Sequence, residues 1–313
     1  MSSRRVPIAL QSVDAPLTAA AIFLVVSVDD AEVDAARALV SGMEDLVKTV
    51  GFRALDAHVS CAVGISSRVW TSLTGHPLPA DLRPFREIVG DTHTAVSTPG
   101  DLLFHIRADR QDLCFELERL IVAGLGPATR VEDEVSGFRY FDARDLLGFV
   151  DGTANPVGPD LPEATLVGDE DAAFAGGSYV VVQKYLHDLG AWQQLTTEQQ
   201  EAVIGRTKLD NVELADADSG QKSHKTLNTI TDAGGERDIL RDNMPFGSAA
   251  AGEFGTYFIG YTRRLWVLEK MLERMFIGDP PGLHDRILDV STAHTGTTFF
   301  APSATFLASL DED

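Results

Sequence analysis

Cysteine is almost absent from the sequence: only Cys61 and Cys114 occur, far apart and outside any Cys-x-x-Cys pair. That spacing excludes a zinc ribbon and covalent attachment of a c-type haem. Val59, Ala62 and Val63 near one, and Leu113 and Phe115 near the other, make both read as buried reduced thiols of a cytosolic protein. Positive charge is also scarce, 26 Lys and Arg against 47 Asp and Glu, for a net charge of −21. Such a chain has no electrostatic basis for gripping phosphate backbones or anionic lipid, so nucleic acid is excluded as a partner. Long hydrophobic runs are missing too, and nothing approaches the ~20 apolar residues of a membrane span. Ser3-Arg4-Arg5 followed by an apolar run over 19–28 imitates a twin-arginine export signal. Asp14 and Pro16 interrupt it, no small-x-small site follows Val28, and Asp29-Asp30 opens a helix, so a cytoplasmic location is expected.

What is present is the pattern of a folded α+β chain. Residues 20–28 form an apolar strand, and Val33, Ala36, Leu39, Val40, Met43, Leu46 and Val47 then recur at helical spacing up to Gly51, behind Asp29 or Asp30 as N-cap. Strands over 55–65 and 104–108, a helix over 112–122 and a closing strand over 138–141 complete a β-α-β-β-α-β order. From Gly177 the pattern repeats: a strand over 178–185, a helix over 189–204 capped by Thr197, strands over 239–241 and 256–261, a long helix over 263–275 and a last helix near 285–289. Two ferredoxin-like halves, 1–145 and 146–313, with antiparallel sheets and peripheral helices, are therefore expected. Between the elements, 210–234 is long, polar and poor in aliphatic residues, and loops of that kind are usually functional or disordered.

One stretch stands out chemically: Gly148-Phe149-Val150-Asp151-Gly152-Thr153-Ala154-Asn155-Pro156. It holds a single acid at a bend, with a glycine that lets a flat ligand approach the backbone. Read alone it is also an ordinary solvated Asp-Gly turn. It resembles the GxxDG motif of the dye-decolourising peroxidases, and the resemblance continues in order through Ile204-Gly205-Arg206-Thr207-Lys208, Ser223-His224, Leu240-Arg241-Asp242-Asn243-Met244-Pro245-Phe246-Gly247 and Asp285-Arg286-Ile287-Leu288-Asp289. These runs cover nearly the whole chain and are most similar to the compact B-type subfamily.

The resemblance implies a non-covalent haem b (heme b, iron protoporphyrin IX) in the C-terminal half, one per chain. Of the eight histidines, His224 becomes the axial iron ligand. Asp285 becomes the carboxylate on its second ring nitrogen, with Asp289 one turn on as the alternative. Asp151 and Arg241 match the acid–base and electrostatic roles of peroxide activation, and Asn243 that of a hydrogen-bond donor to the distal oxygen. Arg206 resembles the arginine set against a haem propionate, with a helix C-terminal cation as the alternative reading. Gly152, Thr153, Phe258 and Phe300, with Phe299, are expected around the macrocycle, and Glu213 at its edge. The activity implied is reduction of hydrogen peroxide through an oxo-ferryl intermediate, with one-electron oxidation of dye-like aromatic, phenolic or metal-ion reductants. A haem carrier of the same fold and a nanocompartment cargo are the alternatives. The acidic end Leu310-Asp311-Glu312-Asp313 carries no targeting extension, so a shell partner is not expected, whereas a homo-oligomer is. Bulky dyes are expected to be oxidised through a surface relay drawn from Trp70, Trp192, Trp266, Tyr140, Tyr179, Tyr185, Tyr257 and Tyr261.

Overall fold

Strand β1, Ala20–Val28, is apolar almost throughout because both of its faces are covered. Ile22, Leu24 and Val26 face a layer of helices, while Ala21, Phe23 and Val25 face an interior shared with the other half of the chain. The computed structural model describes residues 7–127, 129–215 and 220–311. Ser3-Arg4-Arg5 and the terminal Glu312-Asp313 lie outside them.

The helices α1 (Val33–Ser41) and α2 (Met43–Gly51) follow, broken at Gly42, and then come β2 (Ser60–Ile65), β3 (Leu102–Ala108), α3 (Gln111–Leu125) and β4 (Thr129–Phe138). The second half runs β5 (Ser178–His187), α4 (Leu189–Gln194), α5 (Thr197–Ile204), α6 (His224–Leu227), β6 (Leu240–Arg241), β7 (Met244–Ser248), β8 (Glu253–Thr262), α7 (Leu265–Phe276), β9 (Ser291–Ala293) and β10 (Thr297–Ala301). The sheet order is β6-β8-β5-β10-β2-β3-β1-β4, with β7 also on β8 and β9 also on β5. Within each half the second strand lies outside the third, the first beside the third, and the fourth beyond the first, which is the ferredoxin-like order. All pairings are antiparallel.

The halves are stitched at Phe300 opposite Ile65. At the far ends β4 approaches β7 so closely that a Cβ on Gly137 would lie 2.5 Å from the Met244 Cβ. The sheet thus curls around an interior filled by Phe23, Leu103, Val135, Val180, Tyr257 and Phe299, and the helices pack outside.

Several boundaries differ from the sequence pattern for identifiable reasons. Residues 55–65 divide into the 3-10 turn Leu55–Ala57 and β2, separated by His58 at φ 52. The closing strand of the first half is Thr129–Phe138 and not 138–141, its polar run Arg130 to Glu134 having hidden it. The helix expected over 189–204 divides at Leu195, and the cap of α5 is Thr196, which forms a reciprocal capping box with Gln199. The last expected helix is a 3-10 turn, Arg286–Asp289, capped by Asp285, and a short helix Ala304–Ser309 follows β10. Cys61 and Cys114 are both buried free thiols.

Candidate active site

In the second half, the segment between β5 and β6 does not lie flat on the sheet. It holds α6 away from it and leaves a cleft with an empty volume of about 1480 Å³, its open mouth included. Leu268, Met271, Leu272 and Met275 of α7, with Ile204 and Phe258, give it apolar walls.

His224 is the first residue of α6, whose N-terminus is capped by the Ser223 hydroxyl. Its Nδ1 lies 2.6 Å from Asp285 Oδ2. The Asp285 carboxylate is fully buried, and its other oxygen accepts from the Ile287 N–H at 3.1 Å. Asn228 donates to the His224 carbonyl at 2.8 Å, fixing the turn beneath the ring. With Nδ1–H committed to Asp285, Nε2 keeps its lone pair for a metal, and no partner occupies it among the described residues. Asp289 belongs elsewhere, since its oxygens engage His284 Nε2 at 2.9 Å and Arg286 Nε.

The loop carrying Asp151 lines the same cleft. Its turns need left-handed backbone at Gly148 (φ 93) and Gly152 (φ 73). A Cβ on Gly148 would also meet the Lys208 side chain at 2.6 Å. Asp151 Oδ1 accepts from the Gly152 N–H at 2.6 Å, and Oδ2 accepts from Asn243 Nδ2 at 3.0 Å. Asn243 is itself oriented by the Ile259 N–H, which donates to its Oδ1 at 3.1 Å. Asn155 clamps the Arg241 backbone, donating to its carbonyl at 2.7 Å and accepting from its N–H at 3.0 Å. Strand alternation then sends Arg241 and Asn243 to the cleft and the intervening Asp242 inward, where it meets Arg107 Nη1 at 3.0 Å. The Arg241 Nε is buried with no partner among the described residues, a cation prepared for something the cleft receives.

At the rim, Arg206 donates to the Asn211 carbonyl at 3.1 Å and reaches Glu213 at 3.2 Å. Lys225 Nζ meets the same carboxylate at 2.7 Å, and Asn211 donates to the Thr153 hydroxyl at 3.0 Å. Phe258 is on the wall of the cleft. Phe300 is not, and is corrected: it shares the helix-covered face with the cleft, but it pairs with Tyr179 at the other end of β5 from Gln183, Tyr185 and His187, and its ring is buried against Trp70, Phe174 and Tyr179. Phe299 points into the interior between the halves. The residues 297–301 are buried on both faces, so their apolarity gave no indication of which face met a ligand.

Three lining residues carried no clear sequence signal. Asp145 receives the Phe149 N–H at 2.9 Å. Burial pushes its carboxyl up to about 7 against that donor, and the nearby Asp151 charge pushes the same way. His187 is held between Ser291 and Thr256 at 2.8 and 2.9 Å, and burial lowers it to about 4. Gln183 accepts from Tyr185 while its amide nitrogen, buried, has no partner among the described residues. Only the acid ahead of the Gly-Phe-Val-Asp-Gly run could have been suspected.

An imidazole backed by a buried carboxylate, lining one apolar slot together with an acid and a partly buried guanidinium, is a residue set that fits an iron porphyrin. The family models for Dyp-type peroxidase match twice, the N-terminal one over residues 11–139 and the C-terminal one over 142–306. The chain belongs to the Dyp-type peroxidase family. It is 54% identical over 299 residues to the dye-decolorizing peroxidase of Mycobacterium tuberculosis, covering 95% of this chain and 89% of that one. DyPB from Rhodococcus jostii RHA1 superposes with a TM-score of 0.93 at 55% identity, covering 97% of this chain and 99% of that chain, and a variant of it has been solved in complex with haem. The encapsulated DyP-type peroxidase from Mycobacterium smegmatis superposes with a TM-score of 0.94 at 52% identity, covering 96% and 98%.

Proposed function

We propose that this chain is a haem b peroxidase that reduces hydrogen peroxide and oxidises dye-like and other small aromatic reductants. The observation that carries the reading is that one cleft is lined both by His224, held by the buried Asp285, and by Asp151, Arg241 and Asn243. Haem, when bound, supplies the iron that takes up oxidising equivalents from peroxide and passes them on one electron at a time. His224 Nε2 would hold the haem iron, and Asp285, by accepting the hydrogen bond from Nδ1–H, would make that nitrogen a more basic donor.

In the same cleft Asp151 is the proton carrier. It takes a proton from the inner peroxide oxygen and returns it to the outer one as the O–O bond opens. Asn243 Nδ2 holds Asp151 in the reactive orientation, and the Arg241 guanidinium stabilises the negative charge that develops on the departing oxygen. Arg206 and Thr153 stand where a cofactor carboxylate would reach the rim, and Gly152 and Phe258 bound the slot. A haem carrier would need neither the distal acid nor the guanidinium.

Among the described residues no helix is long and apolar enough to cross a membrane. A cytoplasmic homo-oligomer fits the charge and the cysteine usage. The expectation against a shell partner gains no support, since the M. smegmatis relative is the encapsulated one. Of the eight proposed relay residues only Tyr140 and Trp266 reach solvent, and both only partly. The test is steady-state bleaching of an anthraquinone dye by the haem-loaded protein. Turnover that requires both peroxide and bound haem is expected, and intact dye in the presence of both would overturn the reading.

A further inference from the structure

His93, His284 and Asp289 form a second cluster on the outer side of the Asp285 segment. The Asp289 Oδ1 lies 2.9 Å from His284 Nε2 and 3.3 Å from His93 Nε2, and the three ligand atoms fall within 4.8 Å of one another. Metal bonds of about 2.0–2.1 Å place neighbouring ligand atoms roughly 2.9–3.4 Å apart; the two Asp289–imidazole separations lie in that range, and the two imidazoles, within 4.8 Å of each other, need only a small side-chain adjustment to share an ion. Arg286 Nε binds the other carboxylate oxygen and leaves Oδ1 turned to the imidazoles.

The placement is built into the fold. His93 closes the turn of a two-stranded hairpin, where its carbonyl accepts from the Gly90 N–H at 2.9 Å. That hairpin is pressed so hard on the end of α7 that a Cβ on Gly90 would lie 2.0 Å from the Phe276 carbonyl oxygen. His284 is fixed at its backbone by Gln221, which donates to its carbonyl at 2.9 Å. The donors come from two sequence regions about 190 residues apart, brought together at a partly exposed surface of a chain with net charge −21.

We propose that His93, His284 and Asp289 bind a divalent first-row metal ion distinct from the haem iron. Two imidazoles and one carboxylate select zinc, cobalt, nickel or ferrous iron over calcium and magnesium, which prefer oxygen, and over cuprous ion, which prefers sulfur. Three protein donors leave open positions for water, the mark of an exchangeable site and not of a closed structural one. Because His284 adjoins Asp285 and Asp289 ends the turn that Asp285 caps, the ion braces the carboxylate that holds His224 and ties it to the hairpin of the first half.

The test uses the haem-loaded full-length protein, so that His224 is already occupied, stripped with a chelator and titrated calorimetrically with zinc chloride near pH 7.5. One zinc per haem iron is expected, confirmed by elemental analysis after dialysis, with a rise in thermal midpoint on saturation. His93→Gln and, as a second variant, His284→Gln should each weaken zinc binding at least tenfold and abolish the midpoint shift while keeping the haem spectrum. His58→Gln, at a histidine paired with Asp109 elsewhere, should bind as the parent does. A zinc-to-iron ratio near zero, or parental affinity in both His93→Gln and His284→Gln, would overturn the proposal.

Discussion

In the first half, α3 lays Cys114, Leu117 and Ile121 onto the sheet with no solvent-accessible surface left on any of them. In the second half the topologically equivalent helix, α7, turns Leu268, Met271, Leu272 and Met275 towards a cleft. The second strands differ in the same way. β2 is one regular six-residue strand, whereas its counterpart is broken into β6 and β7 at Asp242 and Asn243. The connection before it also differs: α1 and α2 cover the sheet directly in the first half, while residues 188–239 of the second detour through α6 and His224. One strand order therefore makes either a closed core or a ligand site. What decides is where a single connection is lengthened and a single strand interrupted.

The largest expected effect isolates the detour. His224→Ala should lose stable ferric haem on gel filtration while keeping the far-ultraviolet circular dichroism of the fold, because the imidazole holds a ligand and not the sheet. Retention of a parental haem spectrum would remove His224 from the axial role. A smaller contrast sets core against cleft. Leu117→Ala should lower the unfolding free energy by about 2–5 kcal/mol, as buried leucine truncations do, and leave the haem bands in place. Met271→Ala, opening onto space that already exists, should destabilise less and shift the bands more, measured by urea unfolding and absorption on the same samples.

Within the cleft, Asp285→Asn should raise the ferric/ferrous midpoint potential by on the order of 100 mV, the equivalent of a lost hydrogen bond to a charged group. Asp289→Asn, measured in metal-free buffer, should leave it in place. Equal shifts in both would mean that the turn, and not the carboxylate, sets the potential.

The smallest effect concerns Asp145. Its folded-state value of about 7 lies above the ordinary 3.8, so the folded protein holds a proton that the unfolded chain releases. Stability linked to it is intact below about pH 4 and falls as pH rises towards 7. Asp145→Asn should flatten that decline in thermal midpoints collected from pH 4 to 8, and an unchanged slope would place the acid in a wetter setting.

Much of this was legible because strong patterns coincide with buried elements. β1, β5 and β8 are long and rich in β-branched and aromatic residues, and the Gly148 to Pro156 run is specific in composition and order. The structure brings His224 to Asp285 and Asn243 to Asp151, and it gives Asp289 to His284 instead, a distinction that spacing alone left open. What stayed hidden has a common cause in side chains whose neighbours come from distant sequence. Phe300 was misplaced because its distance along the sheet from the cleft is set by its pairing with Tyr179, which the sequence of β10 alone does not reveal. β4 was missed because its Arg130 to Glu134 segment reads as a solvated run, although it pairs with β1 along its length. Asp145, Gln183 and His187 acquire their character only from the cleft that folding closes over them.

The most direct test of the shared cleft is stopped-flow absorption of haem-loaded Asp151→Ala, Arg241→Ala and the double variant mixed with one equivalent of hydrogen peroxide. The account predicts that all three bind haem as the parent does, that at least one single variant reacts with peroxide about 10²–10⁴-fold more slowly, and that the double variant is no faster than the slower single one. Parental reaction rates in both single variants and in the double variant would contradict it.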